Sequence, residues 1–108
     1  MGQKGDCLVE EDLIKKVEQW FIDRKLTHYD GHAQLAKLKE EVDELVDARL
    51  MDDRAEEIDA VGDILVVLIG YCMQRDLELA DCLEVAYGVI KDRKGKVVNG
   101  NFVKESES

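Results

Sequence analysis

The 108-residue chain reads as an all-α, four-helix bundle that ends in a short hairpin. Three observations predict it. Proline is absent, and Leu, Val, Glu, Asp, Lys and Ala dominate over two Phe and three Tyr, a composition that favours helix over sheet. Apolar residues return every three or four positions in four separate stretches, the period of an amphipathic helix. A strand signature occurs only after the last of them. With 45% hydrophobic residues, one domain over 1–108 is expected, its ends at about 1–8 and 104–108 polar enough to be disordered.

In the first stretch Leu13, Ile14, Val17, Trp20 and Phe21 keep helical spacing, with Glu10, Glu11 and Asp12 before them and Arg24 and Lys25 after them. Those charges suit a helix dipole. The polar run Thr27 to Gly31 breaks the chain, and a second helix is expected from His32 to about Arg49. Asp53 and Glu56 have the spacing of a capping box and open a third helix to about Arg75. This third helix is the most apolar. Ile64 to Ile69 is apolar on every side, and Gly62 and Gly70 allow a neighbour close approach. One small four-helix domain cannot cover such a helix on all sides, which predicts an oligomer. A fourth helix carries Leu79, Cys82, Leu83, Ala86, Val89 and Ile90 and ends near Gly95 after Lys91, Arg93 and Lys94. Asn99-Gly100, set between β-branched and aromatic residues, marks a tight hairpin.

A formal net charge of -10 argues against binding the nucleic-acid backbone, which requires a basic face. Three cysteines without a CxxC spacing fit reduced thiols in a cytoplasmic protein, with Cys72 and Cys82 expected in the core. Met1 to Asp6 lacks the apolar core of a signal peptide, and the longest apolar run, Ile64 to Met73, is far below the roughly 20 residues that span a bilayer. No membrane partner is expected.

The chemistry is expected among the acids. In the second helix Gln34, Lys37, Glu41 and Glu44 share one stripe beside the apolar residues Leu35, Leu38, Val42 and Leu45, while Glu40 and Asp43 face solvent. In the third, Glu56, Asp59 and Asp63 occupy one arc, and Asp63 enters the apolar run, where burial raises a carboxyl pKa. Antiparallel packing would set these carboxylates face to face, and a divalent cation with oxygen ligands, Mg²⁺ above all, would relieve their repulsion. Plainer readings stand beside each. Glu56 can be the capping partner of Asp53, Glu41 and Glu44 solvated acids, Asp63 half of a buried ion pair, and Lys37 a surface pair with Glu41. Trp20 and Phe21 read first as core, with Trp20 a candidate platform for a base. Lys91, Arg93 and Lys94 either complement the helix dipole or meet phosphates. No GxxxxGK[ST] loop is present, and neither His28 nor His32 follows an acid at Glu-x-x-His spacing.

From Val17 to Val103 these features resemble the MazG-like all-α nucleoside triphosphate pyrophosphohydrolases, the short phage-type members in particular. The resemblance rests on Gln34-Leu35-Ala36-Lys37-Leu38-Lys39-Glu40-Glu41-Val42-Asp43-Glu44-Leu45, on Asp59-Ala60-Val61-Gly62-Asp63 with the apolar run after it, and on Ile90-Lys91-Asp92-Arg93-Lys94-Gly95. Glu41 and Glu44 match the family's Glu-x-x-Glu motif. Its second motif, Glu-x-x-Asp, is matched at Asp63 but has Ala60 at the Glu position, so Asp59, or Glu56 with Asp59, must stand in.

The resemblance implies Mg²⁺ dependence, with Mn²⁺ as an alternative ion, held by Glu41, Glu44, Asp59 and Asp63 and by Glu56 if it stands in. It implies cleavage of a nucleoside triphosphate into monophosphate and pyrophosphate, with Glu41 as proton acceptor. Gln34, Lys37, Lys91, Arg93 and Lys94 would contact substrate, and the assembly would be a homodimer or homotetramer. Two other classes remain open: an acidic helical binding protein and a structural adaptor without catalysis.

Overall fold

A computed structural model describes residues 10–105, the side chains of Glu10 and Glu11 excepted. Four helices, α1 (Glu10–Asp23), α2 (His32–Leu50), α3 (Arg54–Gln74) and α4 (Leu79–Ile90), precede an antiparallel hairpin of β1 (Gly95–Val98) and β2 (Asn101–Lys104). The fold is the expected all-α one. The expected disorder of 1–8, and of 106–108 at the other end, lies outside the described residues. At the other end one expectation is corrected: Lys104 belongs to β2, opposite Gly95, and the Glu105 N–H reaches the Lys94 carbonyl at 2.6 Å. The ladder continues because backbone pairing does not require the side chains to be apolar.

The elements start and stop where their chemistry directs. Gly31 precedes α2 at φ 93°, a left-handed conformation natural to glycine, and a Cβ there would press on Tyr71 and Arg75. Between α2 and α3 the link is only Met51-Asp52-Asp53, which forces the two helices into an antiparallel pair. Asp53 caps α3 by accepting the Glu56 N–H at 3.1 Å, but its own N–H donates to the Ala48 carbonyl at 2.9 Å. The capping box is therefore half formed, and the Glu56 carboxylate is free of it. Asn99 and Gly100 both have positive φ, 52° and 79°, the two-residue turn that matches the twist of a hairpin.

α2 and α3 are the principal pair, and α1 packs on α3. The core is small: Phe21, Ala48, Ala60, Val67, Ile69 and Cys72. Gly70 is where α1, α2 and α3 meet, because a Cβ there would overlap the Phe21 ring and stand 2.8 Å from Gln34 Nε2. Gly70→Ala should cost about 1–3 kcal/mol, read as a lower urea midpoint at unchanged slope. Gly62, expected to let a neighbour approach closely, has nothing within 4 Å among the described residues. It lies on the outer side of α3.

That outer side explains two further corrections. Among the described residues α4 touches α3 alone, and only Leu79 of it is even half-buried; Cys82 is exposed and Leu83 is 69% exposed. The apolar stripe of α4 is present, but the described residues do not cover it. Ile58, Val61 and Leu65 on α3 are bare as well. A radius of gyration of 17.0 Å, against about 13 Å for a compact domain of this length, reports the same openness.

Candidate active site

The inward stripe of α2 is Gln34, Leu38, Glu41, Leu45 and Ala48, at alternating spacings of four and three. It lies one position away from the stripe of Leu35 and Val42, which are both exposed. An acid therefore occupies a core position. Glu41 is 4% exposed and stands apart as the buried charged residue of the described chain. Its Oε2 accepts from Lys37 Nζ at 3.2 Å, while its Oε1 is buried with no hydrogen-bond partner. A carboxylate oxygen left in that condition is costly, and a cation is the partner that would satisfy it.

Around Glu41 the two helices assemble more negative charge. Glu44, one turn on, has its pKa raised first by the charge of Glu41, then by burial, with Glu56 and Asp63 adding to it from α3. Asp63 is half-buried, and its pKa is raised chiefly by burial and next by the charge of Asp59, with Glu41 also contributing. Among the described residues no basic side chain pairs with Asp63. The buried ion-pair reading of Asp63 thus finds no partner cation among the described residues. Ala60, at the expected Glu position, is 1% exposed between α2 and α3. Such a position has no room for a solvated carboxylate, and Asp59 and Glu56 flank it instead.

The other expected site residues stand in different relations to the α2–α3 groove. Gln34 donates through Nε2 to the Val67 carbonyl at 3.0 Å and so ties α2 to α3. Trp20 is on α1, exposed, with the Arg24 guanidinium 4.2 Å over its ring and the Phe21 ring edge against it at 5.1 Å. Only Phe21 of the two is core. Lys91, Arg93 and Lys94 follow an α4 that leaves the α2–α3 pair, and none of them forms an ion pair with the acids. Lys37 is the basic group within the groove, held by Glu41 and at 3.9 Å by Glu40.

Among the described residues no three acidic, His or Cys side chains converge tightly enough to enclose an ion by themselves. The donor set nevertheless fits Mg²⁺, which dehydrates reluctantly and takes one or two carboxylates, completing its shell with water and phosphate oxygens. A tight cage would suit a structural ion rather than one shared with a substrate.

The model of the phosphoribosyl-ATP pyrophosphohydrolase family matches residues 8–87, most of the chain. The chain belongs to this family. It is a branch of the MazG-like all-α superfamily, so the activity is that of a pyrophosphohydrolase acting on a nucleotide. The matched segment holds all five clustered acids and stops short of Lys91, Arg93 and Lys94. No curated protein and no solved structure matches the chain. No described helix is long and apolar enough to cross a membrane.

Proposed function

We propose that the protein is a Mg²⁺-dependent nucleoside triphosphate pyrophosphohydrolase, (d)NTP + H₂O to (d)NMP + pyrophosphate. The observation that carries this reading is Glu41, a buried carboxylate with one unpartnered oxygen, set among four further acids inside the family-matched segment. Neither rival class explains it. An acidic binding protein needs its charge outside, and a structural adaptor gains nothing from a destabilising cluster.

Glu41, Glu44, Asp59 and Asp63 would hold the ion, with Glu56 adding to the set from the start of α3. When bound, Mg²⁺, or Mn²⁺ in its place, supplies charge neutralisation and orients the triphosphate. Glu41 accepts the proton of the water that attacks the α-phosphorus, and the bond to the bridging oxygen breaks to release pyrophosphate. Lys37, one turn before Glu41, leaves its carboxylate partners to meet phosphate. Gln34 backs the groove from its tie to Val67. Trp20 is the candidate contact for the base, reached if Arg24 swings off its ring.

Lys91, Arg93 and Lys94 reach the phosphates from a second copy, in a homodimer or homotetramer that buries the bare faces of α3 and α4. We place the enzyme in the cytoplasm, where its thiols stay reduced at rest. A panel of common and modified nucleoside triphosphates, with phosphoribosyl-ATP included, tests the substrate class. Pyrophosphate should appear from triphosphates and only with the divalent ion present. Turnover of phosphoribosyl-ATP alone would narrow the substrate to the one in the family's description.

A further inference from the structure

The hairpin takes no part in the acidic groove. It lies beyond the family-matched segment, which ends at residue 87, and among the described elements β1 and β2 touch only one another. A two-stranded hairpin alone in water is marginally stable at best and needs a further surface against its apolar side. The register identifies that side. Val97 pairs with Phe102 and Gly95 with Lys104, so Val97, Phe102 and Lys104 share one face of the ladder. Gly95 keeps this face flat, because a Cβ there would press on the Phe102 ring at 2.7 Å. Val97 is 73% exposed and Phe102 54%.

Charge indicates what covers it. Residues 91–105 hold five Lys or Arg and two acids, a charge of +3, which leaves -13 for the rest of a chain whose total is -10. Lys96 and Lys104, at the open end of the hairpin, form no ion pair among the described residues. The outward face of α2 has the complementary pattern. Val42, Val46 and Leu50 stand exposed at four-residue steps, and Asp43 and Asp47 beside them are exposed and likewise without an ion-pair partner among the described residues. Within one chain this face and the hairpin do not meet.

We propose that the hairpin docks on the Val42–Leu50 face of α2 in a second copy, and that two copies exchange hairpins about a two-fold axis. Val97 and Phe102 cover Val42, Val46 and Leu50, while Lys96 and Lys104 meet Asp43 and Asp47 at the edge of the contact. β1 follows Lys94 directly, so the docked hairpin anchors Lys91, Arg93 and Lys94 on the second copy. The effect of that anchoring on turnover rests on the proposed hydrolysis; the docking itself does not.

Two full-length variants test the exchange. One carries Lys96→Glu with Lys104→Glu, the other Asp43→Lys with Asp47→Lys. Each alone sets like charges at both contacts of its own dimer, and sedimentation should show self-association weaker than wild type by about tenfold or more. Mixed, one copy of each restores opposite charges at both contacts, so native mass spectrometry should find the mixed dimer in excess of chance. A third variant, Val97→Asp with Phe102→Asp, should also dissociate while its helical circular dichroism stays that of wild type, since no helix of its own chain packs on the hairpin. A mixed dimer at or below chance, or a third variant that associates as wild type does, overturns the docking. A hairpin covered by residues 1–9 of its own chain would give those two results. If the mixed dimer predominates and wild type releases no pyrophosphate, the hydrolysis fails and the docking stands.

Discussion

Asp63→Asn should lower pyrophosphate release by about 10³-fold or more, on the order of 4 kcal/mol of lost transition-state stabilisation, while the metal-free protein stays folded. The side chain keeps its size and loses the charge that its apolar neighbours and Asp59 make costly. The folded pKa of Asp63 lies above its ordinary 3.8, so between these values the native protein binds more protons than the unfolded chain. Stability contributed by the protonated group is full below about pH 4 and falls as pH rises through the folded pKa. Without metal, the mutant should therefore melt above wild type at neutral pH, and the gap should close below pH about 4. Glu44, raised in the same direction by Glu41, adds to the same trend in both proteins. A mutant that melts lower and still turns over would remove Asp63 from the site.

A second large effect is expected from mixing subunits. Glu41→Gln loses the central carboxylate, and the triple change Lys91→Ala, Arg93→Ala, Lys94→Ala loses the basic cluster. Each should be nearly inactive alone. Refolded together in equal amounts, half the dimers would pair one of each and carry one intact site, so about a quarter of wild-type activity should return. That recovery requires acids from one copy and cations from another, as the separation of the two groups in a single chain suggests. Activity no higher than either parent would mean that the cluster serves its own chain or none. A clean monomer of 12.3 kDa by sedimentation would remove the premise.

The helices were legible because their punctuation is local. Asp53 caps, Gly31 turns, and Asn99-Gly100 forms the hairpin, each through backbone chemistry that does not depend on what packs nearby. The acids were legible by spacing, since three- and four-residue steps place side chains on one helix face wherever the helix lies. Burial was not. Val42 and Leu35 read as core because they are apolar, yet Glu41 and Gln34 turn inward. The same reasoning misplaced Cys82, which sits on a surface that the described residues leave uncovered. Periodicity specifies a face and not its partner. The basic cluster shows the limit plainly, since its position depends on α4, whose apolar stripe finds no cover within the described chain.

The chemistry proposed for the acidic groove of α2 and α3 is cleavage between the α and β phosphates. Its most direct test is the product pair from a nucleoside triphosphate, resolved by ion-exchange chromatography with and without Mg²⁺ and repeated with Asp63→Asn. Monophosphate and pyrophosphate in equal amounts, from wild type with Mg²⁺ only, is the predicted result. Diphosphate with inorganic phosphate as the first products, or undiminished cleavage by the mutant, would contradict it.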